Sequence, residues 1–252
     1  MVVNQKMRLL RRRRAVLLNL KEKIRLKMIT QLLNRTNEKD FYDNWNLKLD
    51  SINGKIESYE KNSLTINIYI KNENEPENAN QEDWQIIAHQ VFEIENIFGP
   101  IYLPYIKLSL LEEHPLLWKF KYDILECELS GKLENHFEFT SKLHWLYEKE
   151  TGGFIKWKRD FHELQNLIKG KDTIPISINM KTYSFIKEFI EDFDLNLEII
   201  NVSSNDDKGY LNRPNAKVLI FGNSDVCPDN YKLGQPFIVA DKFTANKLKN
   251  KN

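Results

Sequence analysis

The chain reads as an α+β protein: a basic amphipathic helix at the N-terminus, a central region of mixed strands and helices, and a small C-terminal strand–helix–strand unit with further strands. Three observations predict this. Apolar residues recur at spacings of three and four over 17–32, they alternate with polar ones over 64–70 and 124–129, and the last third runs strand, helix, strand. The expected divisions are a basic helical arm over 1–40, a central α+β domain over 41–170, a C-terminal α/β unit over 171–245 and a tail over 246–252.

In the arm, Leu17, Leu20, Ile24, Met28 and Leu32 fall on one stripe, and Arg11 to Arg14, Lys21, Lys23, Arg25 and Lys27 surround it. Asn34, Thr36 and Asn37 offer a stop. A second short helix is expected over 38–49, carrying Phe41, Trp45 and Leu49 on one face. Residues 54–61 and 63–72 both alternate and read as a hairpin, with Lys61-Asn62 as its turn. Residues 72–83 form a polar, acidic, proline-containing loop.

The chain re-enters a core at Trp84, with one or two strands over 84–97 and a weak alternation over 102–113. A good strand follows at 122–131, setting Leu125, Cys127 and Leu129 against Glu126 and Glu128. A helix over 133–150 carries Phe139, Leu143, Leu146 and Tyr147 as its stripe and stops at Gly152-Gly153. "FIKWKRDF", 154–161, reads as a strand, and a short helix over 162–168 stops at Gly170. Then come a strand over 172–180, an amphipathic helix over 181–193 and a strand over 195–204. A buried strand at 216–223 and a final one at 236–241 complete the chain.

The overall charge of +1 conceals a division. Residues 1–39 hold twelve basic residues and two acids, a net of +10, and the remainder holds 25 against 34, a net of −9. A basic arm on an acidic body points to an acidic partner, protein or nucleic acid, engaged through residues 1–39. The two cysteines, Cys127 and Cys227, make neither a disulfide framework nor a C-x-x-C pair, which suits a reducing cytoplasm. The apolar run after the first arginines stops at Lys21-Glu22-Lys23, too soon for a secretory core, and no run is long enough for a membrane span. A basic, acid-poor start also suits a mitochondrial presequence, but no serine precedes Ser51.

Chemistry-bearing residues are few. His114 precedes Pro115, which favours an extended turn, and Leu116, Leu117 and Trp118 then offer apolar anchors. The expectation is a packing turn, not a general base assisted by Glu112 or Glu113. The run Glu113-His114-Pro115-Leu116-Leu117-Trp118 resembles an acidic-His-Pro-Leu-Leu-Trp element of uncharacterised bacterial proteins. The resemblance spans about residues 84–165 and implies no activity. His144 and Glu148 stand one helical turn apart, with His136 two turns earlier, short of the convergent set that zinc requires.

Lys156, Trp157, Lys158 and Arg159 interleave cations with an aromatic ring, a combination that suits single-stranded nucleic acid but suits a guarded edge strand better, since no RNA-recognition motif accompanies it. Asp225 and Asp241 each follow an apolar strand, where two carboxylates could hold Mg²⁺ for phosphoryl chemistry. No dinucleotide, Walker, nucleophile-elbow or zincin motif is present, and no cofactor is expected. The leading expectation is a non-catalytic cytoplasmic interaction protein whose arm engages an acidic partner. The alternatives are a nucleic-acid-associated protein with Arg11, Arg12, Arg13 and Arg14 on phosphates, and a metal-dependent phosphoryl-transfer or nuclease-type enzyme using Asp225 and Asp241.

Overall fold

Leu64, Ile66, Ile68 and Ile70 share one face of a strand, and all four are buried, as their alternation demands. They lie in β2 (Lys61–Asn72) of a computed structural model that describes residues 28–39, 41–58, 61–72, 74, 81–95, 97, 108–203, 212–222 and 236–248. The chain is α+β and divides into two compact units. One comprises Met1–Leu110, Leu219–Gly222 and Pro236–Asn252, the other Leu111–Val218 and Asn223–Gln235.

Unit one is built on an antiparallel meander. β1 (Trp45–Ser58) pairs with β2, β2 with β3 (Glu82–Glu95), and β3 with β9 (Phe237–Lys247). With β4 (Leu108–Leu111) and β8 (Lys217–Phe221) the sheet runs β1-β2-β3-β9-β8-β4. Register places Ile66 between Ile52 and Ile86, and Ile68 between Leu49 and Trp84, so the same face is apolar on all three strands. Helix α1 (28–36) sets Ile29 and Leu32 into this core. The opposite face is polar: Gln85 Nε2 donates to Asn67 Oδ1 (3.2 Å), and Asn67 Nδ2 donates to Ser51 Oγ (2.9 Å).

Unit two contains a three-stranded sheet with β5 (Ile124–Ser130) at its centre, flanked by β6 (Thr173–Asn179) and β7 (Asn196–Ser203). Both neighbours are antiparallel to β5, so β6 and β7 are parallel to each other and are joined by α7 (Met180–Glu191). Leu125, Cys127 and Leu129 meet Ile174, Ile176 and Ile178 on the covered face. Helix α4 (His136–Thr151) adds Phe139, Leu143 and Tyr147 to this second core. Asn135 caps its start, and Gly152 ends it in the left-handed conformation at φ 61°, where a side chain would be strained. The 3-10 turn Pro115–Leu117, α3 (Trp118–Lys121), α5 (Trp157–Asp160) and α6 (Leu164–Ile168) complete the unit.

Several expectations are corrected. The helix over 38–49 shrinks to α2 (Phe41–Asn44). Trp45 opens β1, because Leu47 and Leu49 find paired isoleucines on β2 and the backbone ladder outweighs an i, i+4 coincidence. Lys61 and Asn62 are not a turn but the first residues of β2, since Ser58 pairs with Lys61. "FIKWKRDF" is not a strand: residues 157–160 make the single turn α5. Residues 246–247 extend β9, and the Leu248 amide donates to Asp83 O, so the strand outruns the expected tail boundary.

The division into units cuts across the expected boundaries at 40, 170 and 245. The C-terminal strand–helix–strand is split around β5, while β8 and β9 belong to the other sheet. Pairing between segments far apart in the chain decides this, and composition along the chain does not report it.

Candidate functional site

The described part of the arm is its root. Leu32 is fully buried and Ile29 nearly so, and Met28 and Leu33 pack beside them. The helix stops where Asn37 donates to Leu33 O through both its amide (3.0 Å) and its side chain (2.8 Å). Arg35 then locks the exit: Nη1 lies 2.5 Å from Glu38 Oε2, and its guanidinium stands 5.3 Å from the Phe41 ring and 4.8 Å from that of Trp45. Arg11, Arg12, Arg13 and Arg14, with Leu17, Leu20 and Ile24, lie outside the described residues.

Lys156, Trp157, Lys158 and Arg159 are brought together on α5 and its entry, though not as an alternating strip. Lys156, Lys158 and Arg159 are exposed, while Trp157 is half-buried against the second core. The Lys158 ammonium sits 5.8 Å from the Trp157 ring, and Lys156 Nζ lies 3.9 Å from Glu148 Oε1. Beneath them Asp160, buried, accepts from Arg159 Nε (3.0 Å) and from the Tyr147 hydroxyl (3.1 Å). Burial raises the Asp160 carboxyl above its ordinary value, opposed by Arg159 and the hydroxyl. Three cations thus stand on a turn anchored to α4 from below.

His114 is the packing turn its sequence suggests. Its backbone is extended (φ −166°, ψ 150°), as a residue before proline prefers, and its Nδ1 accepts from the Leu116 amide at 3.3 Å. The ring is 7% exposed and meets Phe154 edge-on at 4.6 Å. Burial pulls the imidazole down to about 4. Neither neighbouring carboxylate serves it: Glu112 takes Lys217 Nζ at 2.5 Å, and Glu113 takes the Tyr122 hydroxyl at 3.0 Å. There is no acid–base pair here.

Among the described residues the remaining candidates do not converge. His144 is exposed, and the Glu148 carboxylate is folded back over Gly153. Asp241 lies half-buried within β9, not beyond the end of a strand, and Asp225 lies outside the described residues. Among the described residues no group of three or more His, Cys, Asp or Glu could hold a metal ion. Cys127 is buried and its thiol is pushed up to about 11, which makes it inert, and Cys227 lies outside the described residues. No helix among the described residues is long and apolar enough to cross a membrane.

Two features escaped the sequence. One is the Tyr147–Asp160 pair, which joins two helices through residues thirteen positions apart. The other is a groove of about 560 Å³ lined by Glu134, Glu138, Lys142, Phe189, Phe193 and Asp194, among others, with both signs of charge over aromatic rings. Helical spacing alone signals neither. Comparison of the chain with protein-family models, with curated proteins and with solved structures finds no match.

Proposed function

We propose that this is a non-catalytic interaction protein of the cytoplasm, whose basic N-terminal arm engages an acidic partner. The observation that carries the reading is the rooted arm. Ile29 and Leu32 are sunk in the unit-one core and Arg35 is clamped by Glu38, Phe41 and Trp45, so the +10 segment issues from a fixed point on a body of opposite charge.

A second reading, association with nucleic acid, draws on the exposed Lys156, Lys158 and Arg159 as cations additional to the arm's Arg11 to Arg14. Trp157, packed inward, is a weaker stacking platform than the sequence suggests. The metal-dependent enzyme reading gains nothing from Asp241, which sits inside a strand.

Passing the whole chain and an Arg11–Arg14→Ala variant over immobilised polyglutamate and over an immobilised oligonucleotide tests the proposal. Retention on polyglutamate that the variant loses supports the acidic-protein reading. Retention on the oligonucleotide alone supports the second. Equal behaviour of parent and variant on both surfaces rejects the arm as the binding element.

A further inference from the structure

Leu116, Leu117 and Phe120 are buried, yet they belong to neither of the two cores. The far end of their segment is tied down: Asn179 Nδ2 donates to Trp118 O (2.8 Å) and Tyr122 O (3.3 Å), and the Arg213 amide donates to Phe120 O (2.9 Å). The near end is held by His114, through the Leu116 amide on Nδ1, the Leu117 amide on His114 O (2.9 Å) and the ring's edge contact with Phe154.

That hold requires a neutral ring. Because Nδ1 accepts a hydrogen bond, the single proton of the neutral imidazole is on Nε2, which is buried and has no hydrogen-bond partner among the described residues. A second proton must go to Nδ1. It would turn the acceptor into a donor facing the Leu116 N–H, and it would leave a charge with two unmatched N–H groups in an apolar site.

Two acidic neighbours are otherwise engaged. On its own segment Glu112 is held by Lys217, and Glu113 by Tyr122 and by Lys121 at 3.6 Å. On α4 the Glu148 carboxylate lies over Gly153, with Oε1 3.9 Å from Lys156 and the buried Oε2 without a hydrogen-bond partner among the described residues. Burial lowers the imidazole below its ordinary value.

We propose that His114 is an acid-sensitive latch: on taking up a proton its ring leaves Phe154 and the Leu116 amide, and residues 112–117 open while both cores stay folded. The depressed imidazole value agrees in sign. The latch contributes fully above the ordinary 6.5 and is lost as pH falls towards about 4.

The whole chain, followed by NMR from neutral pH downward, tests the proposal. His114 should titrate well below the ordinary imidazole range. In step with it, the Leu116 and Leu117 amides should lose at least about tenfold of their exchange protection, while β5 amides keep theirs. His114→Asn keeps a side-chain acceptor at this cap and cannot take up the proton, so its Leu116 amide should show no acid step. Three results would overturn the latch: titration of His114 in the ordinary range with Leu116 unmoved, loss of β5 protection in the same step, or survival of the step in the Asn variant. Should that variant fail to fold, the titration of the parent chain decides alone.

Discussion

The Tyr147 hydroxyl donates to the Asp160 carboxylate across 3.1 Å with both residues buried, so an ionisable group on α5 depends on a tyrosine from α4. Tyr147→Phe removes the donor and leaves a buried oxygen unmatched, a loss of about 1–3 kcal/mol that urea unfolding would read. Asp160→Asn keeps an acceptor and removes the charge. Since the folded-state value of Asp160 is raised, its protonation stabilises the folded form as pH falls and that stabilisation is lost as pH rises. The stability of the Asn variant relative to the parent should therefore decline on acidification from neutral pH. A pH-independent difference would show that the carboxyl titrates alike in both states.

Leu117 and Trp118 are neighbours that differ in burial. Leu117 is fully buried, whereas Trp118 is half-buried against the second core, its ring centroid 6.4 Å from that of Phe185. Leu117→Ala should cost about 2–5 kcal/mol. Trp118→Ala should fall below the ~3–5 kcal/mol of a fully buried large aromatic. Denaturant midpoints for the two variants would check the order, and a tryptophan cost above that range would reveal burial beyond what its exposed part allows.

Binding through the arm should be strongly salt-dependent. Each phosphate neutralised on duplex DNA adds about 0.9 to the slope of log affinity against log salt, so Arg11–Arg14→Ala should flatten that slope by up to about 3–4. Fluorescence anisotropy at several salt concentrations gives the number. An unchanged slope would place the phosphate contacts elsewhere.

On α5, Lys156→Ala and Lys158→Ala remove exposed charges and should change stability by no more than about 0.5 kcal/mol. If the second reading of function holds, both should weaken oligonucleotide retention, and by less than the arm variant does. Trp157→Ala should instead lower the melting temperature, because that ring packs inward.

Strict alternation was legible over 64–70 and 124–129. Leu64 to Ile70 and Leu125, Cys127 and Leu129 face inward as their period of two requires. The stripe of α4 and its glycine stop were equally plain. Trp45 and Leu49 misled because spacing by four fits both a helix face and alternate strand positions, and only the distant isoleucines of β2 choose between them. Asp160 gave no sign of burial within "KRDF", since its partner lies on another helix. The cations of α5 were found, but the direction of Trp157 follows from the helical turn that the strand expectation missed. The arm was legible only as charge and stripe, and its root at Arg35 depends on Phe41 and Trp45, which the sequence had assigned to a separate helix.

The pairing of β9 with β3 has a consequence for synthesis. The three strands of the smaller sheet lie between β4 and β8, so a growing chain has every strand of the β5–β6–β7 sheet once residue 203 is made. The larger sheet must wait for residue 247. Until then the edge of β3 that β9 will cover stays open, on a strand bearing Trp84, Ile86 and Ala88. A chain stopped near residue 235 should therefore keep its smaller sheet and expose the larger one, and such truncated products should aggregate through unit one.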